Sequence, residues 1–514
     1  MKSTFAVFCF VWAGSLALFA GDGSLRVTPL ASEKGVAFEV VTDIPCMGAN
    51  WKAVDSAGKE LKGFAQQRHA GQTFVIRVPD VAAGKVDFSA QLSDGNGGPW
   101  IVDSKPCEWL SSSAVCAAPG AATKIERVAA DAAAPRIKDF SGKLAGWIDG
   151  GKTGFAKGEK IRFRFHANAD VKELSFHRWG DDRFDEIVTA ANDGTGDLVY
   201  ETSMAKPGAV SVEVKFPQGA LILSAMVAFD EIKGNFALRP ADFDAFWNGI
   251  RDQAKASLAK AKVEPQGKGR FIVTIPCGAA QPMVMGYAVA EDAAAKSCVA
   301  DFDFPGYNPT FSAGVPMPVK GRILCSLSVH GSPIGMPGDY YQQFAVSNKL
   351  NQYGFELGRN QNRETTYFHD MALRLVTALE YVKTLPQWSG EMSVHGGSQG
   401  GFLSLTAAGV EPSVKTIAAL YPWMCDIDSD VSGYYGGWHP HYTPALAYYN
   451  PVFHAANLRP DQKLECCIGL ADITCTPYGI AAMFNAVKGP KSIKVYQAAW
   501  HCGPSRNAKL DFAR

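Results

Sequence analysis

One short stretch of this chain, 391-EMSVHGGSQGGFLSL-405, combines residues that could carry out acyl transfer. Gly396-Gly397-Ser398-Gln399-Gly400 follows a strand-like run and precedes a helix-prone apolar one, so G-x-S-x-G lies at a strand–turn–helix junction. A serine there takes a strained backbone conformation that lifts its hydroxyl clear of the sheet. Its neighbours must be small for the turn to close. The helix start also leaves unpaired N–H groups beside any carbonyl that Ser398 attacks. The same residues would also suit an ordinary Gly-rich turn with a helix-capping serine.

Serine at its normal pKa is a weak nucleophile, so it needs a base, and the base needs an orienting acid. In an elbow of this kind the chain order is Ser, then Asp or Glu, then His. His501 closes the run "SIKVYQAAW", where a last strand would deliver a base. Asp472 ends the run "KLECCIGLAD", a carboxylate at the C-terminal end of a strand one strand earlier. Asp426, Asp428 and Asp430 are rival acids and read as a solvated acidic loop. His439 and His441 lie in the aromatic, glycine-rich loop 434-YYGGWHPHYTP-444 and read as loop or pocket-rim residues. Two histidines without acidic ligands at suitable spacing do not make a metal site, and no cofactor is expected. The developing oxyanion needs donors. The backbone N–H of Gln399 supplies one, and the loop in 299-VADFDFPGYNP-309 offers the N–H of Tyr307 as a second.

These groups need a scaffold. Residues 236–514 alternate strand-like and helical runs, which reads as one doubly wound α/β domain with a mostly parallel sheet covered on both faces. It starts at the helix signal 240-PADFDAFWNGIRDQAKASLAKAK-262, where Pro and Asp precede Phe243, Phe246 and Ile250 on one face. Before it, two stretches of short alternating strands suggest β-sandwich, Ig-like domains at 21–120 and 145–235, with a linker at 121–144. No internal repeat is evident.

Composition excludes several roles. The chain has 514 residues, too many for one typical domain. Lys+Arg and Asp+Glu are both 50, and no basic run is present, so no nucleic-acid partner is expected. Lys2 followed by an apolar run from Phe5 to Phe19 and then Ala20 reads as a cleaved export signal, residues 1–20, delivering the chain to a periplasm or the outside. No later segment is apolar enough to span a bilayer. The twelve cysteines are scattered, which excludes a small disulfide scaffold and a CxxC zinc site, although some could pair after export. Adjacent Cys466 and Cys467 read as small buried apolar residues.

The stretches "PADFDAFWNGI", "GGSQGGFLSLTAAGVEPSVK", "YPWMCDI", "GLADITCTP" and "FNAVKGPKSIKVY", with the final histidine, resemble the acetyl xylan esterase / cephalosporin-C deacetylase family, carbohydrate esterase family 7. The resemblance covers about 236–505 in unbroken order. It implies an α/β-hydrolase fold and a serine esterase that removes acetyl groups from sugar hydroxyls without a metal. Ser398, Asp472 and His501 would be its catalytic residues, and Tyr307 and Gln399 its oxyanion donors. The expected partner is therefore an acetylated carbohydrate, and an oligomer is compatible with the family. Two motifs depart from the family pattern. His330-Gly331-Ser332 stands where R-G-Q is usual, and His501-Cys502 where H-E is usual. Alternatives are another exported hydrolase on the same fold, a peptidase or sugar-acid esterase, or a catalytically inactive carbohydrate-binding protein. Trp438, Tyr434 and Tyr442 are candidate sugar-stacking rings, or packing residues.

Overall fold

Period-two burial governs the first part of the chain. In strand Gly84–Ser93, Val86, Phe88, Ala90 and Leu92 are buried while Lys85 and Asp87 are exposed, so one pleat face meets a core. Phe88 stacks there on Phe38 with ring centres 4.1 Å apart. The computed structural model describes residues 25–30, 36–78, 81–82, 84–93, 101–102, 105–106, 109–116, 125–131, 136–356, 358–501, 503–504 and 508–509. The segment read as an export signal lies outside them. Strand Gly84–Ser93 belongs to an antiparallel sheet with Leu25–Leu30, Val36–Val54, Glu60–Val78 and Leu110–Cys116.

Two further sheets follow. One is ordered Ala508–Lys509, Ile137–Asp139, Leu144–Ile148, Ile161–Ala167, Asp197–Thr202, Glu126–Val128. The other is ordered Gly154–Phe155, Gly219–Val227, Gly208–Phe216, Glu173–Gly180, Asp185–Ala191. Phe163 and Phe165 from the first share a core with Phe176, Val212 and Leu223 from the second, so the two sheets pack face to face as a sandwich. The expected linker, 121–144, is corrected in part. Glu126–Val128 is an edge strand of the first of these sheets, and Ile137–Asp139 is an inner one, paired on both sides. Glu126–Val128 pairs with Asp197–Val199, some seventy residues on, so its alanine-rich surroundings carry no local sign of the ladder.

The α/β region opens with helix Phe243–Ser257, which buries Phe243, Phe246, Trp247, Ile250 and Ala254 on one face. Nine strands form its sheet: β1 (Lys262–Gly267), β2 (Arg270–Ile275), β3 (Met283–Val289), β4 (Cys298–Phe304), β5 (Arg322–Ser328), β6 (Trp388–Gly397), β7 (Val414–Leu420), β8 (Lys463–Gly469) and β9 (Lys491–Tyr496). Their spatial order is β1-β2-β3-β5-β4-β6-β7-β8-β9. The pairs from β5 to β9 are all parallel, and those joining β1, β2, β3 and β5 are antiparallel.

Helices Tyr367–Val382, Gln399–Val410 and Pro477–Ala486 bury their apolar residues together with Ala300, Phe302, Phe304, Val394, Ile417 and Ile468 in one core. The opposite sheet face carries Asp301, Asp303, Ser393, His395, Thr416, Leu420 and Glu465, all half-buried or exposed. Among the described residues the helices therefore cover one face, which corrects the expectation of two. The reason is visible in "CVADFDF", whose alternation belongs to a one-sided strand, whereas parallel strands buried on both faces read as continuous apolar runs. On this polar face His395 sits 3.4 Å from both Asp301 and Asp303. Hydrogen bonds to the two carboxylates, Asp301 first, push its pKa up to about 9.

Candidate active site

The chain turns from β6 into helix Gln399–Val410 through Ser398, at φ 57° and ψ −118°. This left-handed region costs an L-residue on the order of 1–3 kcal/mol, and the surroundings must impose it. They do so by backbone hydrogen bonds. The Ser398 N–H donates to the Leu420 carbonyl at 2.8 Å, and the Trp423 N–H donates to the Ser398 carbonyl at 3.0 Å. The flanking glycines are steric requirements. A Cβ on Gly396 would lie 2.5 Å from the Phe304 carbonyl oxygen, and one on Gly400 would lie 2.1 Å from it. Gly400→Ala should therefore lower stability by about 1–3 kcal/mol or more, because backbone of β4 must move. Chemical denaturation of the purified variant measures this, and an unchanged midpoint would show that the turn has room to spare.

The structure brings Ser398, His501 and Asp472 together. His501, in the turn after Ala499–Trp500, places Nε2 2.9 Å from Ser398 Oγ and Nδ1 2.9 Å from Asp472 Oδ2. Asp472 follows β8 and is 2% exposed. Its Oδ1 accepts from the backbone N–H groups of Thr474 (2.8 Å) and Cys475 (2.9 Å), which fixes the carboxylate plane. With Nδ1–H donated to Asp472, the His501 lone pair lies at Nε2, facing the Ser398 hydroxyl. Ser398 itself is half-buried, which leaves the hydroxyl within reach of a substrate.

Asp472, Cys475 and His501 each present a possible metal-ligand atom, all within 4.8 Å of one another. The carboxylate oxygens are already engaged as described, and burial pushes the Cys475 thiol up to about 12, which disfavours the thiolate a metal would need. Cys466 and Cys467 are buried, as are Cys277, Cys298, Cys325, Cys425 and Cys475.

The loop carrying Tyr307 runs against the elbow: a Cβ on Gly306 would stand 3.7 Å from the Gly397 carbonyl oxygen. Among the described residues no hydrogen bond accounts for the backbone N–H of Tyr307 or that of Gln399. The Gln399 side chain clamps this loop. Its Nε2 donates to the Pro305 carbonyl at 3.2 Å, and its Oε1 accepts from the Tyr353 hydroxyl. Tyr353 is fully buried and packs on Tyr307 with ring centres 3.9 Å apart. Sequence reasoning missed Tyr353, because nothing local distinguishes it from a core aromatic.

Other expectations are corrected. Asp426 and Asp428 do not form a solvated loop, each being 1% exposed. Asp426 Oδ2 accepts from Gly437 N–H (2.7 Å) and Thr476 Oγ1 (2.8 Å), and Asp428 Oδ2 accepts from Asn235 N–H (2.9 Å) and Ser432 Oγ (3.1 Å). The Asp430 side chain lies outside the described residues. His439 is buried away from the rim, donating through Nδ1 to the Pro440 carbonyl and accepting at Nε2 from Ser429 Oγ. Trp438, Tyr434 and Tyr442 all pack on the core, and Tyr434 stacks on Tyr478 at 3.8 Å. His330 is buried, and burial helped by the nearby Arg374 guanidinium pushes its pKa down to about 3. Arg374 donates to the carbonyls of Val329 (2.8 Å) and Gln281 (3.3 Å), so a helix supplies a cation beside the His330-Gly331-Ser332 turn.

The mixed, mostly parallel sheet with a strained serine at the β6–helix turn defines an α/β-hydrolase. Residues 226–432 match the family model for acetyl xylan esterase, AXE1. Over that segment the chain is similar to this esterase family. It is 26% identical over 322 residues to acetyl esterase Axe7A of Xylanibacter ruminicola, covering 56% of this chain and 70% of that one. It is also similar to the solved acetyl xylan esterase of Paenibacillus sp. R4, at 22% identity with TM-score 0.42, over 54% of this chain and 93% of that one. Acetyl xylan esterase 1 of Thermoanaerobacterium sp. JW/SL YS485 aligns at 20% identity with TM-score 0.40, over the same shares. The family match ends before Asp472 and His501, so the assignment of those two residues rests on the geometry around Ser398.

Proposed function

We propose that the protein is an exported serine carboxylesterase that removes acetyl groups from acetylated sugars or xylo-oligosaccharides. The observation that carries the reading is the line Ser398 Oγ–His501 Nε2 and His501 Nδ1–Asp472 Oδ2, each 2.9 Å, at the end of a parallel sheet. Acetyl xylan esterases among its relatives support the substrate class.

Ser398 Oγ attacks the acetyl carbonyl while His501 Nε2 takes its proton. Asp472 holds the imidazole tautomer and stabilises the imidazolium. The N–H groups of Tyr307 and Gln399 hold the tetrahedral oxyanion, a good donor contributing about 3–4 kcal/mol. His501 then returns the proton to the departing sugar oxygen, leaving an acetyl-serine. Water, deprotonated by His501, attacks this ester, and acetate leaves with Ser398 reprotonated.

The test is product analysis on acetylated xylo-oligosaccharides, longer acyl esters and peptide amides, using the enzyme recovered from the periplasm or medium. Acetate release should dominate, and the recovered chain should begin near Gly21. Preferred cleavage of amides or of sugar-acid esters would transfer the site to a different hydrolase. Xylan binding without any hydrolysis would make it a binding protein.

A further inference from the structure

The β-sandwich reaches across to the segments that carry the site. Lys206, in the turn between Asp197–Thr202 and Gly208–Phe216, donates to the Gly433 carbonyl at 2.6 Å, and its ammonium stands 3.6 Å from the centre of the Tyr434 ring. Asp181, in the turn between Glu173–Gly180 and Asp185–Ala191, is buried. It accepts from Ala209 N–H at 2.7 Å and, through its other oxygen, from Tyr435 N–H at 3.4 Å. The Arg183 guanidinium lies 5.0 Å from the Tyr435 ring centre. Three sandwich side chains thus grip three consecutive residues, Gly433 to Tyr435.

The far end of the same loop touches segments that neighbour Asp472 and Tyr307. Gly437 N–H donates to Asp426, and Trp438 N–H donates to the Thr474 carbonyl at 3.0 Å. Thr474 N–H in turn donates to Asp472. The Trp438 ring stands 5.4 Å from that of Tyr307 and lies nearly parallel to Tyr353 at 5.5 Å. Between the grip and Trp438 come Gly436 and Gly437, which permit close approach. A Cβ on Gly437 would lie 2.2 Å from the Thr474 carbonyl oxygen. Glycines also leave the loop many alternative conformations. The anchors at its start therefore add to the bonds that Trp438 makes through its own N–H, to Thr474, and its own carbonyl, from the Trp423 indole.

We propose that Lys206, Asp181 and Arg183 are positioning residues that set the acyl-length limit of the Ser398 site by fixing the Gly433–Trp438 loop against Tyr307. This rests on the reading of Ser398 as the acyl-transfer nucleophile. On this account the sandwich is part of the specificity apparatus of the enzyme. A loosened loop lets Trp438 draw back from Tyr307, and the pocket then accepts longer acyl chains.

The experiment compares kcat/KM for 4-nitrophenyl acetate and butyrate in the full chain, normalised by burst titration of active serines. The variants are Lys206→Ala, Arg183→Ala/Lys206→Ala and the conservative Lys206→Arg. The acetate-to-butyrate ratio should fall about tenfold in the double variant, the scale of one or two methylenes in an apolar pocket. Lys206→Arg should restore it. An unchanged ratio would overturn the proposal, as would an equal fall on both esters together with a lower melting temperature, since lost folded enzyme cannot change a ratio. Where Lys206→Ala expresses poorly, Lys206→Met keeps the stem and removes the charge. Ser398→Ala is run in parallel. If it is inert and the ratio does not move, only the positioning claim fails. If it hydrolyses both esters, the nucleophile assignment fails as well.

Discussion

Ser398→Ala should reduce ester hydrolysis by at least about 10⁴-fold in a protein that folds as before. At 1.36 kcal/mol per decade this is about 5.5 kcal/mol of lost transition-state stabilisation. The size follows from the chemistry: without the hydroxyl no acyl-enzyme forms, and the remaining backbone donors can only assist attack by water. The fold should tolerate the change. Among the described residues the Ser398 side chain bonds only to His501, and alanine faces the same left-handed backbone penalty that serine already bears at φ 57°. Turnover of 4-nitrophenyl acetate and labelling by a fluorophosphonate probe should vanish together. Turnover retained at the wild-type rate would remove Ser398 from the mechanism.

How much of this was legible follows from where each cause lies in the chain. The elbow was legible because its determinants are consecutive: Gly396, Ser398 and Gly400 are dictated by one neighbour, the Phe304 carbonyl, and by one turn. Asp472 and His501 were legible because strand ends are visible as the last residues of apolar runs. Asp426 and Asp428 were misread because a buried carboxylate depends on distant donors. Thr476 and Gly437 for the one, and Asn235 for the other, leave no trace in "CDIDSD". The polar sheet face has a local signature in the alternation of "CVADFDF". The grip of the sandwich on the 433–435 loop was out of reach, because Lys206 and Asp181 look like ordinary turn residues until the fold sets them beside Gly433 and Tyr435.

Five of the ten described non-glycine residues with positive φ lie around this site. Ser398, Tyr421, Met424, Ala498 and Tyr353 all take positive φ without being glycine. Tyr421 and Met424 flank Trp423, whose N–H pins Ser398, and Ala498 precedes His501 by three residues. Tyr353 holds the Gln399 side chain. Such conformations persist only where packing over-determines them, and here the packing includes the sandwich: Ala498 and Ala471 share a small core with Ile222. The loops bearing Asp472 and His501 thus also pack against the sandwich.

Asp472→Asn should lower kcat by about 10⁴-fold while leaving stability largely intact. The two backbone donors, Thr474 and Cys475, face Oδ1, so they hold the amide oxygen of asparagine in that position. The amide NH₂ must then point at His501 Nδ1, where Oδ2 now accepts. A donor there forces Nδ1 to act as an acceptor and moves the ring proton to Nε2. The base would then present N–H to Ser398 Oγ at 2.9 Å and could no longer take its proton. The geometry survives, but the tautomer is wrong. The deficit should therefore appear in kcat, with KM for 4-nitrophenyl acetate changing far less, and it should shrink for an added external nucleophile that does not need Ser398. Steady-state kinetics of the folded variant at neutral pH decide the matter. A kcat within tenfold of the parent would mean that Asp472 only props the loop and that the imidazole is oriented by another group.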